Sequence, residues 1–384
     1  MEKPYVPFTL PNEELIDKVR LFNKVIKANK EIAIYNEKLK NSKVRPALLM
    51  DLFSLKEALE SSKIEGTQAT MDDMLEYRSD EKNVTDDVTD DIKEIINYHI
   101  ALQEGVYGLE RLPISSRLIK NLHKTLLGGG VRGGGKTPGQ FRTVQNYIGT
   151  QGCTLENASY IPPEPQLVDS CMSNLEKFIN EDDETNDLIK IALIHAQFET
   201  IHPFLDGNGR IGRILIPLYL YNKGFISSAN LFVSESLEKD KFKYYDLLNA
   251  TRVIVMCKED DEEQYKKDIA VARKIYSDWI DFFLSACINE SNKLMAKIEK
   301  INELYSIAIN KSIEIIDSSK MREVIDVIFE FPIFTKSKIS SNVTIPTTTL
   351  DGYLRKLVEA KIIYSDKKPR NRKYYFYDLI NILR

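Results

Sequence analysis

Twelve consecutive residues, His202 to Arg213, read HPFLDGNGRIGR and carry most of the side chains in this sequence suited to chemistry. A histidine ordinarily titrates near neutrality, so His202 is a candidate to take the proton of an attacking hydroxyl. Asp206 offers a hard oxygen to Mg²⁺, whose other ligands are usually waters and phosphate oxygens. Gly207, Asn208 and Gly209 form a glycine-rich turn that opens a helix, where backbone N–H groups and the helix dipole attract an anion. Arg210 and Arg213, three apart, share a helix face and suit the outer phosphates of a nucleotide. Ile211 and Gly212 lie between the two arginines as candidates for the same site, and Phe204 reads as a core plug. A base, a metal ligand and a set of anion donors are what transfer from a nucleotide to a hydroxyl requires, because positioning and charge stabilisation dominate that chemistry.

Three weaker patterns lose to simpler readings. GVRGGGKT, Gly130 to Thr137, satisfies the P-loop spacing, but a helical run precedes it and Pro138–Gly139 follow, so it reads as a flexible linker before a hairpin. GNGRIG, Gly207 to Gly212, matches GxGxxG without the strand or βαβ alternation of a dinucleotide fold. His195, Glu199 and His202 share one helix face, yet no further histidine or cysteine is close enough in sequence for zinc, and His195 reads as a hydrogen-bonded core residue. Cys153, Cys171, Cys257 and Cys287 show no CxxC spacing and read as reduced thiols.

The segment His202–Arg213 resembles the signature of the Fic (filamentation induced by cAMP) family, HxFxDGNGRxxR, at every defined position; Pro203 and Ile211 fall at variable ones. PGQFR (138–142) and YIPPEP (160–165) resemble the segments that bracket the family's flap, a hairpin whose edge aligns a protein target by strand addition. The resemblance implies a protein adenylyltransferase that moves AMP from ATP to a Ser, Thr or Tyr hydroxyl of a target protein or of itself. It implies His202 as base, Mg²⁺ or Mn²⁺ on Asp206 and Asn208 on the α-phosphate. It also places Asn157, Ala158, Ser159 and Tyr160 near the nucleotide. Tyr244 and Tyr245 resemble a pair that flanks the base, while two tyrosines on one helix read equally well as core. SSKIEG, with Ser61, Glu65 and Gly66, fits the family's inhibitory motif [ST]xxxE[GN]. That likeness implies that Glu65 reaches the nucleotide site, pairs with Arg213 and keeps it off the γ-phosphate. In some relatives the same glutamate serves removal of AMP.

The elements that must position these residues are mainly helical: a Fic/Doc-type helical core with a β-hairpin flap, an N-terminal helical region and a C-terminal winged helix-turn-helix. Apolar positions Leu15, Val19, Phe22, Val25 and Ile26 recur with helical spacing between Pro11 and Leu39. A second helix over 48–62 ends near Gly66, and Thr70 caps the next. Periodic runs cover 86–109 and, after a Ser115 or Ser116 cap, Leu118 to Leu126; residues 141–160 read as the hairpin. A helix over 164–179 precedes the run 188–198, which is apolar nearly all round and therefore central. Helices follow over 211–221, 239–255 and between 262 and 316. The units read as 1–114, 115–255, 256–320 and 321–384.

The 384 residues are 43% hydrophobic and 29% charged, enough to bury large cores, and a net charge of −4 excludes a generic polyanion binder. The basic character is local: residues 321–384 hold 12 Lys+Arg against 7 Asp+Glu. A rival reading follows, a DNA-binding regulator whose core senses nucleotide, with Arg355, Lys356, Lys367, Lys368, Arg370, Arg372 and Lys373 as phosphate contacts. Transfer of UMP, a phosphate or phosphocholine is a third reading, and a second copy of the chain is a candidate partner. The start MEKPYVPFTL lacks the apolar core of a signal peptide and the run 214–221 is too short to span a bilayer, so the expectation is a cytoplasmic protein with no membrane partner.

Overall fold

The computed structural model describes residues 4–79, 90–149, 154, 156–256 and 258–384. The first eleven helices run α1 (Lys18–Lys40), α2 (Pro46–Ile64), α3 (Met71–Ser79), α4 (Asp90–Leu109), α5 (Ser116–Leu126), α6 (Val168–Asn180), α7 (Asp187–Ile201), α8 (Asn208–Asn222), α9 (Ser234–Lys239), α10 (Lys241–Ala250) and α11 (Glu262–Ile316). α7 is the centre, buried at every residue from Leu188 to Ile201, as its all-round apolar sequence demands. α8 lies beside it, and Trp279 of α11 donates from Nε1 to the Ala192 carbonyl of α7 at 2.9 Å.

The local end signals act as read. Glu65 caps α2 at its C-terminus, Gly66 follows with φ +100°, and Gly66 N and Thr67 N donate to the Lys63 and Ser62 carbonyls, a Schellman closure. Thr70 and Asp73 bond reciprocally at the start of α3, and Ser115 accepts from Leu118 N at the start of α5.

Three expectations are corrected. In α1 the residues facing the protein are Leu21, Ala28, Ile32, Tyr35 and Leu39, while Val19, Phe22 and Ile26 are 88%, 62% and 52% exposed. The face is chosen by α11, which runs alongside α1 with Lys24–Asp281 and Ser42–Asn302 contacts at its edges. The separate runs expected after residue 262 form one 55-residue helix, because no Gly or Pro interrupts 262–316. The expected hairpin reduces, among the described residues, to one antiparallel bridge between Ile148 and Tyr160. Cys171 and Cys287 are free thiols, half-buried and buried; Cys153 and Cys257 lie outside the described residues.

The C-terminal segment continues as α12 (Met321–Glu330), β1 (Ile333–Thr335), α13 (Lys336–Ser340), α14 (Thr347–Glu359), β2 (Tyr364–Ser365), β3 (Lys373–Tyr375) and α15 (Tyr377–Leu383). Its antiparallel sheet has the order β1-β3-β2. β1 and α15 were not foreseen. Contacts from Arg384, just past α15, and from β3 dock the segment: Lys56 of α2 donates to the Arg384 carbonyl at 2.9 Å, Arg384 pairs with Asp72, and Lys373 pairs with Glu76 at 3.0 Å. No helix among the described residues is long and apolar enough to cross a membrane.

One buried arginine ties the α5–α6 connection to the turn after α7. Arg142, 2% exposed, donates from Nε to the His202 carbonyl at 2.9 Å and from Nη2 to the carbonyls of Pro163 (2.6 Å) and Ile201 (3.3 Å). Its planar fork satisfies several carbonyls at once, which a lysine point charge does not. Arg142→Met, which strands those carbonyls, should cost about 3 kcal/mol of stability by urea denaturation, and Arg142→Lys should recover only part of it.

Candidate active site

α7 ends in a left-handed residue, His202 at φ +49°, whose N–H still bonds to the Phe198 carbonyl. That conformation turns the chain sharply into the PFLDG loop, and Asn208 fastens the loop: its Oδ1 accepts from Phe204 N and its Nδ2 donates to Phe204 O, both at 2.9 Å. Both ends of the amide thus bond within the loop, and no side chain caps the first turn of α8, whose N–H groups point as anion donors would. Burial, reinforced by Arg252, pushes His202 down to about 4, so it is neutral at pH 7 and able to accept a proton. Its Nδ1 is buried without a hydrogen-bond partner.

The two arginines of the motif are each 1% exposed and each held by acidic residues from upstream helices. Arg213 donates from Nε to Ser61 Oγ at 2.8 Å, and from Nη2 to the Ser61 carbonyl at 3.1 Å and Glu65 Oε1 at 2.6 Å. Burial raises the Glu65 carboxyl, but the charge of Arg213 more than offsets it and leaves it below its usual value. Glu65 Oε1 sits over the start of α8, where a Cβ at Gly209 would lie 2.4 Å from it, so only glycine admits this approach. Arg210 pairs with Glu94 of α4 at 3.2 Å, a partner the sequence reading missed. The pair spans 116 residues of sequence, and no local pattern marks Glu94.

Asp206 presents its carboxylate at the mouth of the turn. Oδ1 accepts from Gly207 N at 2.7 Å, and Oδ2 lies 3.1 Å from Lys136 Nζ. Burial pushes this carboxyl up, yet the hydrogen bond and charge of Lys136 win and hold it below the ordinary carboxylate range. An ionised oxygen that already attracts one cation, beside a helix N-terminus suited to phosphate, fits a divalent ion shared with a nucleotide. Among the described residues no group of three His, Cys, Asp or Glu is placed to hold a metal ion. His195 has both nitrogens engaged: Nδ1 donates to the Gly212 carbonyl at 3.2 Å and Nε2 accepts from Tyr244 OH at 2.9 Å.

His123 of α5 is a second missed residue. Its Nδ1 accepts from Gly139 N at 2.8 Å, which leaves Nε2–H to donate to the Asp206 carbonyl at 2.9 Å. Its ring stacks on Phe204 at 3.7 Å and 5°. His123 therefore positions the Asp206 turn from below, and burial, pushing it down to about 4, keeps it neutral for that task. The sequence signal was only a histidine on a helix.

The remaining candidates divide. Tyr244 is buried, its hydroxyl on His195, and Tyr245 is 37% exposed with its ring 5.2 Å from that of Tyr244. Tyr160 is buried, donates to the Thr200 carbonyl at 2.6 Å and carries the Arg252 guanidinium over its ring at 3.5 Å. Asn157 and Ser159 are exposed and turned to local partners, Thr154 N and the Ile148 carbonyl, and Ala158 is half-buried between them. Ile211 and Gly212 are buried in the α7–α8 contact.

Known proteins resemble this chain in sequence and in fold. The Fic/DOC family model matches residues 113–220, and the Fic/DOC family N-terminal model matches residues 22–107. A probable protein adenylyltransferase of Aquifex aeolicus is 29% identical over 188 residues, 47% of this chain and 52% of that protein. The protein adenylyltransferase Fic of Drosophila grimshawi is 30% identical over 142 residues, 35% of this chain and 26% of that protein. The chain thus spans about half and about a quarter of the length of these curated relatives. The crystal structure of a Fic family protein from Desulfovibrio desulfuricans covers 98% of both chains at a TM-score of 0.54 and 18% identity, a likeness of fold. Since the two matched regions follow one another across about half of the sequence and the HPFLDGNGRIGR turn lies inside the second, the chain belongs to the Fic/DOC family.

Proposed function

We propose that the chain is a protein adenylyltransferase that moves AMP from ATP to a hydroxyl side chain of a target protein. The carrying observation is the convergence on one turn of a neutral His202, the Asp206 carboxylate and two buried arginines at the start of α8. In this reading the target hydroxyl gives its proton to His202 as its oxygen bonds to the α-phosphorus, the α–β bridging P–O bond breaks, and pyrophosphate leaves. Arg210, Arg213 and the first N–H groups of α8 hold the phosphates. Asp206 would hold a Mg²⁺ or Mn²⁺ ion, which would supply charge neutralisation at the phosphates.

The same geometry supports control by Glu65, which occupies Arg213 and the space above Gly209 where a phosphate would approach. A second reading, nucleic-acid binding by a winged helix over 321–384, draws on the exposure of Thr347, Thr348 and Thr349 at the start of α14 and of Lys367, Lys368, Arg370 and Arg372 between β2 and β3.

Three outcomes test these readings. With α-labelled ATP and intact-mass detection, the parent or an activated variant should gain the mass of one AMP, and His202→Ala should lose at least about a hundredfold in rate while retaining nucleotide binding. Uptake of label from the γ-position instead would replace adenylylation with phosphoryl transfer. Glu65→Gly should raise modification about ten- to a hundredfold, the scale of a partly buried ion pair, and Arg213→Ala added to it should cancel the gain. For the winged helix, duplex binding should weaken with salt, and the combined Lys367→Gln, Arg370→Gln and Arg372→Gln variant should lose most of it; equal binding by that variant rules the surface out.

A further inference from the structure

The glycine-rich stretch between α5 and Pro138 is no P-loop, since α5 precedes it, but neither is it a slack linker. Asn97 of α4 donates to the carbonyls of Leu126 (3.3 Å) and Gly128 (2.9 Å), fastening its start, and Gly139 N on His123 fastens its end. Between these anchors Gly134 N and Lys136 N close turns onto Val131 O and Gly133 O. Gly133, at φ +86°, lies so close to Asp206 that a Cβ would stand 2.9 Å from Oδ2. This close pass is what lets Lys136 Nζ reach the same oxygen at 3.1 Å.

We propose that Lys136 is a tethered cation that holds the Asp206 carboxylate before nucleotide arrives and must be exchanged for the divalent ion; this rests on the reading of Asp206 as metal ligand. Oδ1 is engaged by Gly207 N, with Arg210 3.7 Å away, so Oδ2 is the oxygen left for a metal, and Lys136 has it. Two positive charges do not share that oxygen without repulsion. Which of the two neighbouring cations yields is decided by burial. Arg210 is 1% exposed and tied to Glu94, whereas the Lys136 side chain is 54% exposed and can return to water without stranding a charge. The site is thereby biased against free divalent ions and toward a metal–polyphosphate complex, whose own charge draws Lys136 off the carboxylate and whose oxygens complete the ion's shell.

The test measures Mn²⁺ bound to the full chain without nucleotide, from the electron paramagnetic resonance signal of the free ion. Lys136→Gln should tighten Mn²⁺ binding about two- to fivefold, the scale of an exposed ion pair. Lys136→Arg, which keeps the charge, should stay at the parental affinity, and Lys136→Gln should give no gain in an Asp206→Asn background. Unchanged, weaker or undetectable Mn²⁺ binding by Lys136→Gln overturns the proposal, as does an equal gain in the Asp206→Asn background. Mn²⁺-ATP binding that is indifferent to Asp206→Asn would instead remove Asp206 from the metal and carry the proposal down with it. Thermal melts of each variant confirm that a folded protein was measured.

Discussion

Two guanidinium groups lie inside an apolar helical bundle, and much of the arrangement around them follows from that. Arg210 and Arg213 are almost wholly excluded from water, and a buried charge left without a partner costs several kcal/mol. Their partners come from helices distant in sequence: Glu94 on α4, and Ser61 and Glu65 at the end of α2. The N-terminal helices therefore supply counter-charge to the signature turn as well as apolar packing. Under the proposed function a nucleotide would substitute one set of anions for another, so the arginines would stay compensated while the carboxylate of Glu65 is the group displaced. Control and substrate binding then compete for the same positive charge.

Around this pair the buried histidines stay neutral and take different tasks. His195 braces α7 against α8 and α10 through Gly212 and Tyr244. His123 holds the Asp206 carbonyl and stacks on Phe204. His202 alone has a buried nitrogen with no partner, on a left-handed residue whose carbonyl is pinned by Arg142. A residue held in a sparsely populated backbone conformation by several independent contacts is one whose direction matters. Desolvation gives all three lowered proton affinities, but only geometry separates the brace and the positioning residue from His202, the base of the proposed function.

The C-terminal segment packs on the helix that leads to Ser61 and Glu65. At the end of α15, Leu383 lines one cavity with Phe53, Lys56, Glu57 and Glu60 of α2, and Lys56 donates to the Arg384 carbonyl. Glu57, Ser61 and Glu65 stand one turn apart on that same helix, with Glu57 accepting from Ser234 and Tyr98. The same helix leads to Glu65, its C-terminal cap, and so to the Arg213 pair.

The sequence by itself determined what is local. Helical periodicity, the caps at Ser115 and Thr70, the stop at Gly66 and the contiguous HPFLDGNGRIGR turn were legible because backbone propensity and nearest-neighbour chemistry decide them. The Glu65–Arg213 pair was legible only through family likeness, since 148 residues separate its members. Glu94 on Arg210, His123 under Asp206 and Lys136 on its carboxylate were decided by tertiary structure alone. Each joins residues 70 or more apart in sequence, and no periodicity reports which distant charge fills a buried gap. The inward face of α1 was misread for the same reason. The helical spacing of Leu15, Val19, Phe22, Val25 and Ile26 marked one face, whereas the tertiary packing buries Leu21, Ala28, Ile32 and Tyr35 and leaves Val19, Phe22 and Ile26 to water.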